Sequence, residues 1–374
     1  MRKTLLALVL VIVVVGLAVG ACAAPSAPAT TTQTPATNTE TPASTTSSGP
    51  VTLIEANWCP AQMPPPMDWD PFDYTLNAWM DTVEAESDGQ ITFDRYPMET
   101  LVKVQDTWDA VKLGICDIGV YNECVYPGLM PSIVALRMPG IFENGAQSCL
   151  VRQKLFDEGY YGHEWDDVKV LWMESNAPWD ICCRTKQVKT LDDLEGLKIA
   201  CVGGPEIPIL EALGATPVGM SPMDFYLALE RGTVDAAWQD INGHIAFKLW
   251  EAAPYSTRLK KNSNACMCVI MNKDKYNSLS PEQKQIIDKN SGTLWAAMQG
   301  QRFNYNYNKS VAFLDENAKA PVYVLPPEEQ AKWTEKTAVV IDQTLAGLEA
   351  EGMPGYEMYA RAQELAEYYK LLGF

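Results

Sequence analysis

Short apolar strands alternate with amphipathic helices along most of this chain, beginning near Val51. A helical spacing of apolar residues over 70–87 is followed by the strand-like alternation of 90–96. The same succession returns until a predicted strand over 234–239. Alternation of this kind is typical of α/β domains with largely parallel sheets. The sequence therefore predicts an α/β fold.

The last third of the chain is more helical than the rest. Ser280, Pro281 and Gln283 form a helix start, with serine as the cap, proline at the first position and glutamine placed for a capping box. The helical pattern then runs for about 35 residues, with Gly292 or Gly300 as the place for a kink. A strand over 322–325 and two more helices follow. A helix of that length can span two lobes.

Chain length and charge narrow the class of protein. Of the 374 residues, those after the first 50 suit two lobes of ordinary domain size. A net charge of −18 excludes a nucleic-acid partner that would need a basic surface. With only two histidines, His163 and His244, multi-histidine metal sites are excluded.

The N-terminus has the features of an export signal. Arg2 and Lys3 precede an apolar run over 5–19, and small residues lead to Cys22 in a pattern that resembles the bacterial lipobox. Residues 1–21 are therefore predicted to be a lipoprotein signal peptide, with Cys22 lipidated. The alternative is an ordinary signal peptide cleaved near Ala23. Residues 22–50, rich in Ala, Pro, Thr and Ser, are predicted to be a flexible linker from a membrane anchor to an extracytoplasmic domain.

Motifs of catalysis are missing from the sequence. It has no Gly-rich phosphate loop, no G-x-S-x-G and no H-E-x-x-H. The adjacent pairs Asp166–Asp167 and Asp192–Asp193 are better explained as solvated faces and helix starts than as catalytic carboxylates. We therefore expect neither an enzyme nor a cofactor.

Nine cysteines follow Cys22, and they leave three interpretations open. They are Cys59, Cys116, Cys124, Cys149, Cys182, Cys183, Cys201, Cys266 and Cys268. Buried free thiols that pack as small apolar side chains are favoured. One or two disulfides, for example from Cys201 to a neighbouring strand, are the second interpretation. A thiolate site for copper or zinc, which would make this an exported metal-binding protein, is the third.

The most specific motifs lie between residues 190 and 239. They include T-L-D-D-L-E-G-L-K-I-A-C-V from Thr190, A-L-G-A-T-P from Ala212 and Y-L-A-L-E-R-G-T-V-D from Tyr226. This segment resembles the DctP-type extracytoplasmic solute-binding proteins of TRAP (tripartite ATP-independent periplasmic) transporters. Residues 111–122, 138–142 and 276–287 resemble further segments of that family, so the similarity extends over nearly all of 51–374.

The resemblance implies a two-lobed binding-protein fold with hinge strands and a long helix crossing both lobes. Lobe I would comprise 51–177 plus about 266–304, and lobe II 178–265 plus about 305–374 with the C-terminal helices. A small organic solute would be held in the cleft and delivered to the membrane permease subunits of the transporter. Some relatives dimerise through C-terminal helices, so a monomer and a homodimer both stay open.

Several positions depart from the family pattern. Ala200 stands where the family has the arginine that pairs with a substrate carboxylate, and Asp180 or Trp179 stands where a second arginine is common. Asn57 and Asn122 still match polar contact positions. The predicted ligand-binding residues are Asn57, Trp58, Tyr121, Asn122, Trp179, Asp180, Arg184, Ala200, Trp238 and Gln239.

Two ligand classes follow from these departures. Aromatic faces beside a carboxylate favour an amine, a zwitterion or a neutral polar or aromatic compound over a simple dicarboxylate. Alternatively, Arg184, with Arg137 and Lys198 behind it, or a metal ion, replaces the missing arginine and a monocarboxylate binds. The tryptophans could also be ordinary core residues. An exported enzyme on a binding-protein fold is a further class.

Overall fold

The computed structural model describes residues 49–59, 74–126 and 128–374. The predicted signal peptide, Cys22 and residues 23–48 of the predicted linker lie outside the described residues. Within the described part, no helix is both long and apolar enough to cross a membrane.

Eleven strands in the described residues form two sheets. They are β1 (Val51–Ala56), β2 (Ile91–Tyr96), β3 (Ile118–Asn122), β4 (Val168–Ser175), β5 (Asp180–Cys183), β6 (Lys198–Cys201), β7 (Thr216–Gly219), β8 (Ala236–Gln239), β9 (Tyr255–Arg258), β10 (Cys266–Asn272) and β11 (Tyr323–Val324). The first sheet has the order β2-β1-β3-β10-β4 and the second β11-β9-β5-β8-β6-β7. Each sheet is the centre of one lobe.

Helices cover the faces of both sheets. They are α1 (Tyr74–Glu86), α2 (Thr107–Lys112), α3 (Gly145–Asp157), α4 (Glu206–Ala212), α5 (Phe225–Arg231), α6 (Ile241–Ala246), α7 (Leu249–Ala252), α8 (Lys273–Ser278), α9 (Pro281–Lys289), α10 (Thr293–Asn317), α11 (Pro327–Ala350) and α12 (Gly355–Leu371). Short 3-10 helices occur as well, including Pro131–Arg137. The α/β class and the two-lobed architecture are thus confirmed.

Both sheets are mixed, so the prediction of largely parallel sheets is wrong. β10 runs antiparallel to β3 and β4, and β5 runs antiparallel to β8 and β9. The reason is the connectivity. β5 follows β4 of the first sheet, and β10 follows β9 of the second sheet. These strands enter from the other lobe rather than through a helix crossover, so nothing requires them to be parallel.

Two crossovers connect the sheets, through 176–179 and 259–265, and hydrogen bonds hold them together. The Trp179 N–H donates to the Ser263 carbonyl at 2.8 Å, and Asn262 Nδ2 donates to the Trp179 carbonyl at 2.6 Å. Asn264 Nδ2 donates to Ser175 Oγ at 2.7 Å. These paired segments are the hinge between the lobes.

The long helical pattern is two helices rather than one. α9 ends at Lys289 and α10 begins at Thr293, because Gly292 adopts φ +74° and ψ −140°, a conformation that favours glycine. Its N–H donates to the Leu171 carbonyl at 2.6 Å. Gly300 produces no break and lies inside α10. α10 packs against α3, beside the first sheet, and against α6, beside the second.

The C-terminal helices contact both lobes. α11 packs on α4 of the second lobe, whereas α12 packs on α3 of the first. The predicted lobe boundaries stay a prediction, and these contacts show that the two ends of the C-terminal region attach to different lobes.

Candidate functional site

A cavity of about 300 Å³ lies between the two sheets. Trp58 just after β1 and Asn122 at the end of β3 line it from the first lobe. Val202 just after β6 and Gln239 at the end of β8 line it from the second. β1 is parallel to β3 and β6 to β8, so the carboxyl ends of four strands meet here. Ligands of open α/β sheets bind at that edge.

The wall of the cavity is aromatic and apolar with a few amides. Its aromatic and apolar members are Trp58, Val104, Val125, Trp179, Val202, Pro222, Met223, Phe247, Ala265 and Met267. Its uncharged polar members are Gln105, Asn122, Cys124, Asn176, Ser221 and Gln239. Glu99, Lys103 and Asp224 are the ionisable members besides Cys124. An apolar wall with a few placed polar groups is typical of a small-molecule site.

Four of the ten predicted ligand-binding residues line this cavity: Trp58, Asn122, Trp179 and Gln239. Asn57 lies one residue before Trp58 and shapes the turn after β1. Its Nδ2 donates to Glu55 Oε1 at 2.8 Å, and its Oδ1 accepts from the Cys59 N–H at 2.8 Å.

Three other predicted residues belong to the interior of a lobe. Tyr121 packs against Tyr126 with ring centroids 4.8 Å apart. Trp238 stacks on Trp333 and donates its indole N–H to Ser263 Oγ at 3.1 Å. Ala200 is fully buried in an apolar cluster with Phe225. None of these side chains is among the residues that line the cavity.

Asp180 lies at the hinge. Its carboxylate accepts hydrogen bonds from the Leu259 N–H at 2.7 Å, Tyr307 Oη at 2.8 Å and the Ile241 N–H at 3.3 Å. Burial raises the pKa of Asp180 to about 7 despite these donors. Its polar contacts are thus with the hinge, the start of α6 and α10, and it does not line the cavity.

Arg184 lies beyond the other end of β5. Its guanidinium packs against Gly232, where an added Cβ would come within 2.9 Å of Nη1. The backbone N–H of Arg184 donates to the Asp235 carbonyl at 2.9 Å. The structure therefore does not bring Arg184 to the cavity. Lys198 is also remote, because it begins β6 and the cavity lies at the end of that strand.

Two buried arginines near the cavity are already neutralised. Arg137 Nη2 contacts both carboxylate oxygens of Glu206 at 2.6 Å. Arg152 Nη2 contacts those of Glu123 at 2.8 and 2.9 Å. Lys103 is the one basic side chain among the residues that line the cavity, and it is exposed. The interior wall therefore offers no unpaired buried cation within the described residues.

Trp179 lines the cavity and carries a buried hydrogen-bond donor without a partner in the described residues. Its side chain is 1% exposed, and its indole N–H has no hydrogen-bond partner among the described residues. A buried indole N–H usually finds an acceptor. Besides this unused donor, the amides of Asn122 and Gln239 line the cavity and can bond a ligand oxygen.

The nine cysteines after Cys22 are all buried, and no disulfide joins them within the described residues. Cys124 lines the cavity, and burial raises the pKa of its thiol, which disfavours the thiolate that binds metals. Across 49–59, 74–126 and 128–374, no group of three or more His, Cys, Asp or Glu side chains is placed to hold a metal ion.

Sequence reasoning missed Lys103, Asn176, Phe247, Met267 and the turn over 221–224. Part of these residues could have been found in the sequence, because ligands of α/β sheets bind beyond the carboxyl ends of strands. Ser221 follows β7 closely, and Asn176 follows β4 directly. Phe247 and Lys103 come from loops whose position no strand pattern gives.

Two α/β lobes, two hinge crossovers and a cavity between strand ends define the architecture of two-lobed binding proteins. Residues 68–347 match the family model of DctP, the bacterial extracellular solute-binding proteins of family 7. The chain belongs to this family, which confirms the resemblance seen in the sequence.

Solved structures of TRAP solute-binding proteins share the fold. One, from a marine metagenome, is described as specific for aromatic acid ligands and holds 3-hydroxybenzoate. It is 26% identical with a TM-score of 0.79, over 86% of this chain and 99% of that one. Another, from Rhodoferax ferrireducens T118, holds benzoate and is 25% identical with a TM-score of 0.79, over 87% of this chain and 100% of that one.

The chain is also similar in sequence to the 2,3-diketo-L-gulonate-binding periplasmic protein YiaO of Escherichia coli (strain K12). It is 28% identical over 209 residues, which are 55% of this chain and 63% of the relative. The match therefore spans less than two thirds of that protein.

Proposed function

We propose that this chain is the extracytoplasmic solute-binding component of a TRAP-type transporter. It captures a small organic solute in the interlobe cavity and delivers it to the membrane permease subunits. The observation that carries this proposal is the cavity between facing strand ends of two lobes joined by a hinge. Attachment to the membrane through lipidated Cys22, the absence of enzymatic activity and a monomeric or homodimeric state belong to the same proposal.

The wall of the cavity supports a solute with a ring or other flat apolar body. Trp58, Trp179 and Phe247 supply aromatic faces, and Met267 supplies a polarisable contact. The structural relatives that hold 3-hydroxybenzoate and benzoate, at 26% and 25% identity, favour the same body.

The charges around the cavity argue against a dicarboxylate. A buried carboxylate needs a paired cation or several hydrogen bonds to offset the loss of water. Arg137 and Arg152 already have carboxylate partners, and Ala200 supplies no charge. The head group is therefore neutral, zwitterionic or an amine. Glu99 and Asp224 line the cavity and suit the last two classes.

A second candidate is an aromatic monocarboxylate bound through Lys103. The two aromatic-acid relatives favour it, and Lys103 lines the cavity while Arg184 does not. The carboxylate would then sit at the exposed rim with the ring inside. Lys103→Gln separates the candidates, because it abolishes binding of a monocarboxylate and leaves binding of a neutral ligand nearly unchanged.

Thermal unfolding of the full-length protein, after removal of any retained ligand, tests the function. The probes share one ring: benzamide, phenethylamine, phenylalanine and benzoate, with succinate as the dicarboxylate. We expect at least one ring compound to raise the melting temperature, since a ligand at about 100 times its Kd adds roughly 2.7 kcal/mol.

A pair of variants places the binding in the cavity. Met223 lines the cavity, so Met223→Trp fills part of it with a larger side chain. We expect this variant to lose the ligand-induced rise in melting temperature. Leu227→Trp, at an exposed position of α5 outside the lining, is expected to preserve it. If no probe stabilises the protein, or if both variants keep the full shift, the cavity is not the solute site.

A further inference from the structure

A second cavity lies at the hinge and shares no lining residue with the first. It has a volume of about 210 Å³ and is polar. Ala177 and Pro178 line it, whereas Asn176 and Trp179 of the same crossover line the interlobe cavity. The crossover therefore separates the two cavities.

Arg258 is the basic side chain of this second cavity. It ends β9, and its guanidinium carbon lies 4.8 Å from the centre of the Tyr307 ring. Within the described residues it forms no ion pair with any carboxylate, unlike Arg95, Arg137, Arg152 and Arg361. Stacking on an aromatic face holds a guanidinium plane in place and leaves its edge free for oxygen acceptors.

The acids near Arg258 are engaged elsewhere. Glu143, which also lines this cavity, pairs with Lys370 at 2.5 Å. Asp180, which contacts Tyr307, accepts three hydrogen bonds, one each from the hinge, the start of α6 and α10. Neither of them neutralises Arg258 by direct contact. A guanidinium that lines a polar cavity and forms no ion pair within the described residues suits an anionic ligand.

Amides complete the wall. Asn304 Oδ1 accepts from the Gly145 N–H at 3.0 Å, and Asn304 Nδ2 donates to Asn144 Oδ1 at 3.1 Å. These contacts fix α10 against the start of α3. Asn308, one turn along α10, lines the same cavity and is exposed. Its amide can donate to an anion held by Arg258.

We propose that this hinge cavity binds a small oxyanion, either a monocarboxylate or an inorganic anion such as phosphate or sulfate, through the guanidinium of Arg258. The oxygens accept the paired N–H groups of the guanidinium edge, a geometry that suits carboxylate, phosphate and sulfate alike. Leu259 and Pro178 bring both crossovers to this cavity. An anion bound there contacts the hinge from the side opposite the solute.

Calorimetric titration of the full-length protein with phosphate, sulfate and acetate, at ionic strength held constant with chloride, tests this site. We expect saturable binding of at least one anion. Arg258→Gln should weaken it roughly tenfold or more. Asn308→Asp, which places a negative charge at an exposed position of the same wall, should do likewise. The matched control Arg184→Gln removes a guanidinium outside both cavities and should bind as the wild type does.

Absence of saturable binding of all three anions to the wild type would overturn the proposal. If Asn308→Asp binds the anion as tightly as the wild type does, the anion binds elsewhere, and this result would also overturn the proposal. Because Asn308 is exposed, this second variant decides the question even if Arg258→Gln fails to fold.

Discussion

Trp179 combines two properties that a solute site needs. Its ring forms part of the cavity wall, and its buried indole N–H has no acceptor within the described residues. The sequence pointed to this residue because it stands near a position where the family has an arginine. An indole cannot replace a guanidinium as a charge partner, but it can donate one hydrogen bond to a neutral oxygen.

Trp179→Phe keeps most of the ring and removes the donor. We expect the tightest-binding probe of the ring series to bind about 3- to 10-fold more weakly, the usual net worth of one hydrogen bond. The matched control is Trp333→Phe, which also removes a buried indole N–H without a partner in the described residues, but inside the second lobe. Calorimetry should show wild-type affinity for that control. Equal losses in both variants would mean that Trp179 acts only through stability.

Glu174 gives the protein a pH-dependent stability. It is buried, it accepts the Trp172 indole N–H at 2.9 Å, and burial raises its pKa to about 7. The folded state then holds a proton that the unfolded state has released, so this contribution to stability is complete below pH 4.5 and falls as the pH rises to about 7.

Glu174→Gln removes this titration. At pH 8 the variant should be more stable than the wild type by up to about 3 kcal/mol, and near pH 4 the two should agree. Urea unfolding at the two pH values measures the difference. An exposed control, Glu335→Gln, should change stability little at either pH. If the free energy of unfolding of Glu174→Gln changes between the two pH values as much as that of the wild type, this assignment is contradicted.

At the scale of elements, the strands were predicted better than the helices. The strands predicted over 90–96, 234–239 and 322–325 match β2, β8 and β11 to within a few residues, because their apolar runs are bounded by turns. α3 was missed for a physical reason. Ten of its thirteen residues are buried, including Gln147, Ser148, Arg152 and Gln153, so the helix shows no apolar stripe facing a polar one. Its polar side chains have buried partners instead: Ser148 bonds the hinge at Asn176, Arg152 pairs with Glu123 just after β3, and Gln153 accepts from the Met173 N–H of β4.

The crossing of α10 over α3 depends on small residues. A Cβ added at Gly300 would lie 2.6 Å from the Cα of Ala146, closer than two such atoms can approach. Gly300→Ala should therefore destabilise the protein by roughly 1–3 kcal/mol, although alanine is the better helix former. Urea unfolding at neutral pH measures the change.

Gly347, in α11, is the matched control. Nothing lies within 4 Å of a Cβ added there, so Gly347→Ala should stabilise the protein by up to about 1 kcal/mol. Opposite signs for the two substitutions would support the close helix crossing. Stabilisation by both would contradict it.

At the scale of the whole molecule, the family resemblance predicted two lobes with a site between them. The residues that line the cavity could not be predicted in full, because they depend on contacts between distant parts of the chain. Arg137 and Glu206 illustrate this limit. They are 69 residues apart and belong to different lobes, yet they form a buried ion pair across the junction. Sequence spacing gives no sign of such a pair. Arg137 was therefore predicted as a candidate ligand cation, whereas its partner is a carboxylate of the protein.

Arg137→Met leaves Glu206 buried without its partner and should destabilise the protein by about 3–5 kcal/mol. The double variant Arg137→Met with Glu206→Leu removes both charges and should recover at least half of that loss. Urea unfolding of the four proteins in the cycle measures the coupling. Additive losses would show that the pair does not hold the lobes together.

The most direct test of the account is the order of affinities within the ring series. Isothermal titration calorimetry of the ligand-free, full-length protein should give the Kd of benzamide, phenethylamine, phenylalanine, benzoate and succinate under one buffer condition. We expect one of the first three to bind at least tenfold more tightly than benzoate, and we expect no binding of succinate. Tightest binding by benzoate or succinate would contradict it, and a loss of that binding in Lys103→Gln would assign the carboxylate to the rim lysine.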